Sequence, residues 1–205
     1  ITIFSKYARY EHDLERRETW EEIVKRNMDM HIRKYPKLTT QITQAYTEFV
    51  LPKKVLPSMR SLQFAGKAIE RNHTRIYNCA YLPMEHTKAF SEVMFLLLSG
   101  TGVGYSVQKH HVAKLPIIKG PHWEKIIYTI PDTIEGWADS IDTLINSYVN
   151  GSATVIFDYS EIREKGTELV VSGGRAPGPA PLKKCLIAIK KILDEASNRK
   201  LTTLE

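Results

Sequence analysis

The sequence predicts an α/β fold preceded by helices, and three observations carry that reading. From Arg75 onward, short runs of β-forming residues alternate with amphipathic segments of helical period. Residues 7–50 instead repeat their apolar positions at helical spacing throughout. Between the two best-defined strand patterns, glycines at 100, 102 and 104 close a helix and open a strand. Strands that alternate with helices imply crossover connections and a mostly parallel sheet.

Taken in order, Glu11 to Met30 places Leu14, Trp20, Ile23, Val24 and Met28 on one helical face. Tyr35-Pro36 breaks it, and Thr39 or Thr40 can cap a second helix running to Val50. Leu51-Pro52 and Leu56-Pro57 mark a change of structure, so a boundary is set between a helical region, 1–52, and a second region, 53–205. Pro57 to Gly66 reads as a turn-like segment. Arg75 to Leu82 reads as a strand around Cys79, Thr87 as the cap of a helix over Lys88 to Leu98, and Val103 to Val107 as the next strand. His122-Trp123 falls in a loop bounded by proline and glycine. A helix over Ile134 to Val149 ends at Asn150-Gly151, and Thr154 to Asp158 is a strand. Thr167 to Val171 looks like another, and Leu182 to Ser197 is a last helix with lysines on its polar face.

Composition narrows the function classes. The 205 residues are 42% hydrophobic and 25% charged, with a net charge of +6. That excess suits an anionic ligand and equally a generic basic surface. No run of like charge or basic stripe marks a nucleic-acid face. No signal peptide or membrane-length apolar run is visible, which predicts a cytoplasmic protein without a membrane partner. Two cysteines, Cys79 and Cys185, make no disulfide framework, and no CxxC or Cys/His cluster predicts a metal. Adjacent His110 and His111 would face opposite ways on a strand.

The chemical candidates each have two readings. Cys79 is either a small buried hydrophobe or a redox thiol pointing from its strand into a site. Ser58, Arg60 and Ser61 lie either in a polar surface loop or in a segment that offers hydroxyls and N–H groups to a phosphate. Gly100-Thr-Gly-Val-Gly104 lacks the Gly-Lys-Ser/Thr of a P-loop and the spacing of a dinucleotide fingerprint. Ser172 to Pro179 places three glycines around Arg175, a loop able to wrap a ligand and bring one fixed positive charge.

Four motifs in order point further. Tyr77-Asn-Cys-Ala-Tyr-Leu-Pro83, Ser99-Gly-Thr-Gly-Val-Gly-Tyr-Ser-Val-Gln108, Glu135-Gly-Trp-Ala-Asp139 and Ser172-Gly-Gly-Arg-Ala-Pro-Gly-Pro179 together resemble the ribonucleotide reductase large-subunit family. The likeness is greatest to the class II, adenosylcobalamin-dependent, ribonucleoside-triphosphate reductases. It implies N-terminal helices followed by the first half of a ten-stranded α/β barrel, as in the glycyl-radical enzymes. It also implies thiyl-radical reduction of a ribonucleotide, with Cys79 as one of two reducing cysteines. Ser58, Arg60, Ser61 and Asn78 would address the substrate. Gly173, Gly174 and Arg175, with Glu85 and His86, would address a deoxynucleotide effector, and Gly102 and Gly104 would form a glycine turn near the site. Implied partners are adenosylcobalamin, bound mostly outside this chain, a thioredoxin-like reductant, and the remaining C-terminal part of the enzyme.

The family's radical-bearing cysteine and second reducing cysteine would follow Glu205. The resemblance therefore predicts a piece of a longer enzyme, interrupted by an intein or a split gene, inactive alone and with apolar strand edges exposed. A class I diphosphate-reductase large subunit and a non-catalytic nucleotide-sensing module are the alternatives.

Overall fold

A computed structural model describes residues 1–169 and 174–205, which divide into two compact units, Ile1–Asn78 and Cys79–Glu205.

In the first unit, α1 (Thr2–Lys6) precedes a two-residue antiparallel pair, β1 (Tyr10–Glu11) and β2 (Arg16–Arg17). The helix expected from Glu11 does not form there. Glu15 turns the chain at φ 48°, and the buried Glu18 carboxylate accepts from the Arg9 N–H and pairs with Arg26 at 2.7 Å. Burying those charges together fixes the turn, because neither can be left alone in the interior. Helix α2 (Trp20–Lys34) then starts at a capping box in which Thr19 and Glu22 satisfy each other's N–H groups. Helix α3 (Thr39–Ala45) passes into a π-turn over Tyr46–Val50. The segment expected as a turn forms α4 (Met59–Phe64), capped by Ser58, and α5 (Lys67–Arg71) follows. Leu62 packs with Ala8 and Ile23, while Ala65 and Ile69 pack with Met30. Packing thus joins residues 53–78 to the N-terminal helices, and the compact boundary falls later than the composition change at residue 52.

The second unit holds two β-α-β modules. In the first, β3 (Cys79–Pro83), α6 (Lys88–Leu98) and β4 (Gly102–Ser106) place the strands parallel, with Cys79 opposite Gly102 and Tyr81 opposite Gly104. The strand begins at Cys79 and not at Arg75, because His73–Ile76 is a 3-10 turn capped by Asn72. Next comes α7 (Lys109–Val112), so His110 and His111 lie on a short helix, their rings 3.9 Å apart, and not on a strand. In the second module, β5 (His122–Thr129) and β6 (Ala153–Asp158) are parallel across α8 (Ile134–Asn150), and α9 (Ala180–Glu195) completes the unit. His122-Trp123 therefore opens a strand where a loop was expected. Glu168 makes an isolated antiparallel bridge to Arg175, and residues 170–173, which carry the rest of the expected Thr167–Val171 strand, lie outside the described residues.

The core of this unit gathers Ile141, Leu144, Ile145 and Tyr148 of α8 with Leu182, Leu186 and Leu193 of α9. Gly151 ends α8 in the left-handed region at φ 64°. Both strand pairs leave apolar side chains in solvent. Trp123 is 79% exposed and Ile127 75%, and Tyr81, Tyr105, Ile126 and Ile156 are exposed as well. No helix among the described residues is long and apolar enough to cross a membrane.

Candidate active site

Cys79 is the first residue of β3 and is exposed to solvent, which removes the reading of a buried small hydrophobe. Parallel register sets Gly102 beside it and Gly104 beside Tyr81 on the same face of the pair. Neither glycine has a positive φ, so conformational freedom is not what the positions require. What they provide is an absent side chain, leaving the face next to the thiol open to another group. Cys185 differs: it is half-buried on α9 against the core, and burial pushes its thiol up.

At the carboxyl end of the same pair, the segment after β3 and the segment after β4 converge. Glu85 accepts from Lys114 at 2.5 Å, and this bond holds its carboxyl below the usual carboxylate range, with the charges of Lys114, His111 and His86 acting the same way. Ser106 Oγ and His111 Nδ1 lie 3.0 Å apart. One acid is thus ringed by an ammonium and imidazoles. Lys114 and His111 were not singled out as site residues, although the basic character of 109–119 was the signal for them.

In the first unit, Ser58 Oγ accepts from the Ser61 N–H at 3.1 Å. Ser61 itself is buried, with its Oγ accepting from Asn27, so its side chain is turned inward. The Arg60 guanidinium lies 5.5 Å from the centre of the Phe64 ring, half-buried, and Arg75 stands over the same ring at 5.6 Å. Asn78 is exposed and is the chain neighbour of Cys79. The structure therefore keeps Ser58, Arg60 and Ser61 as one cluster, and Cys79, Gly102 and Gly104 as another.

Arg175 is exposed, donates to the Gly166 carbonyl at 3.2 Å, and follows Gly174 at φ 86°. The Leu169 N–H donates to the Gly174 carbonyl and the Ala176 N–H to the Thr167 carbonyl, which ties residues 167–169 to 174–176. Gly173 lies outside the described residues.

Among the described residues, no group of three or more His, Cys, Asp and Glu is arranged to hold a metal. An apolar cavity of about 140 Å³, lined by Phe90, Leu115, Ile145, Ile189 and Leu193 among others, is of the size that takes a benzene ring and not a corrin.

Comparison with known proteins agrees with the sequence reading. The family profile "B12-dependent ribonucleotide reductase, insertion domain" matches residues 105–193, which include β5, α8 and β6. The adenosylcobalamin-dependent ribonucleoside-triphosphate reductase of Euglena gracilis is 35% identical over 150 residues, covering 68% of this chain and 20% of that protein. The enzyme of the same name from Lactobacillus gasseri is 27% identical over 277 aligned residues, covering all of this chain and 37% of that protein. The crystal structure of a B12-dependent (class II) ribonucleotide reductase superposes with a TM-score of 0.85 at 22% identity, over 99% of this chain and 38% of that one, so the fold is shared. The chain spans little more than a third of the length of the Lactobacillus gasseri enzyme and of the class II crystal structure. On these matches the chain is similar to the class II, B12-dependent ribonucleotide reductases, and residues 105–193 match their insertion-domain profile.

Proposed function

We propose that this chain contributes a reducing thiol, a substrate-phosphate segment and part of an effector site to a reductase that converts ribonucleoside triphosphates to 2′-deoxyribonucleotides. One observation carries the reading: the family's strand cysteine is here a solvent-exposed thiol, flanked in register by glycine. Removing the 2′-hydroxyl is a two-electron reduction. Two thiols and the ribonucleotide give one disulfide, one water and the deoxyribonucleotide, so Cys79 needs a second cysteine from outside this chain and a thioredoxin-like dithiol to reset the bond. In relatives whose names carry it, adenosylcobalamin is the cofactor, and its contribution is the radical that starts the chemistry. No step assigned to these residues passes through it.

In this reading β3 and β4 are the first strands of the barrel, and Gly102 and Gly104 leave room for ribose beside Cys79. Ser58, Arg60 and Asn78 face the substrate. Glu85 and His86, joined by His111 and Lys114, with Gly174, Arg175 and Gly173, receive a deoxynucleotide effector, whose phosphates suit the imidazoles and ammonium. The protein works in the cytoplasm, with neither membrane nor nucleic acid as partner.

The test uses the complete protein. Cys79→Ser should leave the fold intact, because the thiol is exposed, and should abolish reduction of CTP or ATP supplied with adenosylcobalamin and a dithiol. Turnover at the wild-type rate by that variant would remove the catalytic assignment of Cys79.

A further inference from the structure

A polar chain runs through the interior of the first unit, where apolar packing alone would be simpler. Asn27, midway along α2, is fully buried. Its Nδ2 donates to both the carbonyl oxygen and the Oγ of Ser61, each at 2.8 Å. Its Oδ1 accepts from the Tyr46 hydroxyl in a short hydrogen bond. From Ser61 the chain continues, N–H to Ser58 Oγ. Three separate stretches of sequence thus meet on one buried amide. Burial of such a group is tolerated only with its partners in place, and a fully satisfied network fixes one geometry.

The backbone is bent to the same purpose. Tyr46 opens the π-turn, its carbonyl accepting from the Leu51 N–H at 2.8 Å, and the Trp20 indole pins the Leu51 carbonyl at the far end. A π-turn is rare, its hydrogen bonds are poorer than those of an α-helix, and such turns are frequently kept at functional sites. Burial lifts the Tyr46 hydroxyl to about 12, so it remains a donor across the physiological range. His31, one turn after Asn27 on α2, lies with its ring 6.1 Å from that of Tyr46 between centres, tilted by 44°.

We propose that Asn27 and Tyr46 are positioning residues for the nucleotide: they fix Ser61 and, through it, the placement of Ser58 and Arg60. The proposal rests on the reading of residues 57–61 as the phosphate segment. In it Ser61 is a link in the chain, its side chain engaged from within, and the phosphate is met by the Ser58 hydroxyl and the Arg60 guanidinium.

The experiment compares three variants of the complete protein with wild type. Tyr46→Phe removes one hydroxyl and keeps the ring. Asn27→Asp keeps an acceptor for Tyr46 and removes both donations to Ser61. Arg60→Ala removes the charge itself. Each is measured for CTP dissociation constant, kcat, KM and melting temperature. Asn27→Asp and Tyr46→Phe should each raise the dissociation constant and KM about fivefold, the effect of one hydrogen bond, with kcat within about twofold of wild type. If Arg60→Ala weakens binding while the other two lower only the melting temperature, the positioning role is overturned and the phosphate reading stands. If Arg60→Ala also leaves binding unchanged, the phosphate reading falls and takes the positioning role with it. Should Asn27→Asp fail to fold, Tyr46→Phe decides between the same outcomes.

Discussion

Gly136 shows what one missing side chain can hold in place. A Cβ there would lie 2.5 Å from the Pro131 carbonyl oxygen and 2.9 Å from the Pro131 Cβ, so α8 can enter the fold at its present angle only with glycine. Gly136→Ala should destabilise the second unit by about 2–3 kcal/mol, read as a lowered melting temperature. The two cysteines separate in a similar way. Cys79 is exposed and Cys185 is half-buried with its thiol pushed up, so iodoacetamide at mildly alkaline pH should label Cys79 first; equal rates by mass spectrometry would contradict the assigned exposures. The strand placement of Cys79 was legible from its β-forming neighbours, and the role proposed for it rests on a motif. The demand on Gly136 was not, because it comes from how Pro131 folds back over the helix start.

At the scale of the element, α2 depends on its first turn. Thr19→Ala should cost about 1 kcal/mol by removing the capping oxygen. Glu22, the other half of the box, is hydrogen-bonded by Arg16, and this guanidinium, with the Thr19 N–H, holds its carboxyl down to about 2 from an ordinary 4.5. A folded value below the unfolded one means that the box contributes fully above pH 4.5 and is lost as pH falls from there toward 2. Melting temperature followed across that window should drop less in Glu22→Gln than in wild type. The periodicity of α2 was plain in the sequence, but its start was placed too early. The buried Glu18–Arg26 pair that redirects the chain is a tertiary contact, which helical spacing cannot reveal. β5 was missed for a related reason: nearly every residue of it is exposed, so no buried face imposes the alternation by which strands are read.

For the whole molecule, the two parallel pairs leave unpaired backbone and large apolar side chains in solvent. Exposed strands of this kind template association. The 205-residue chain on its own should therefore self-associate, with light scattering rising with concentration, and Ile127→Lys on β5 should reduce it. A monodisperse wild-type monomer at high concentration would count against this. The α/β class and the first strand–helix–strand module were readable from the apolar pattern and the turn residues, and the second was readable only from its helix onward. The split into two parallel pairs was not, since it depends on which strands meet in space.

The parallel pairing of β3 with β4 and of β5 with β6 also governs the order of events as the chain emerges from the ribosome. Neither pair can zip from a tight turn, because each needs its crossover helix made and laid across before the second strand arrives. β3 and β5 must wait unpaired while α6 and α8 are completed, so the folding rate is set by closing those long loops and not by local turn chemistry. Anything that slows helix docking, as Gly136→Ala should for α8, lengthens the interval in which Trp123, Ile126 and Ile127 stand as a bare strand on the nascent chain.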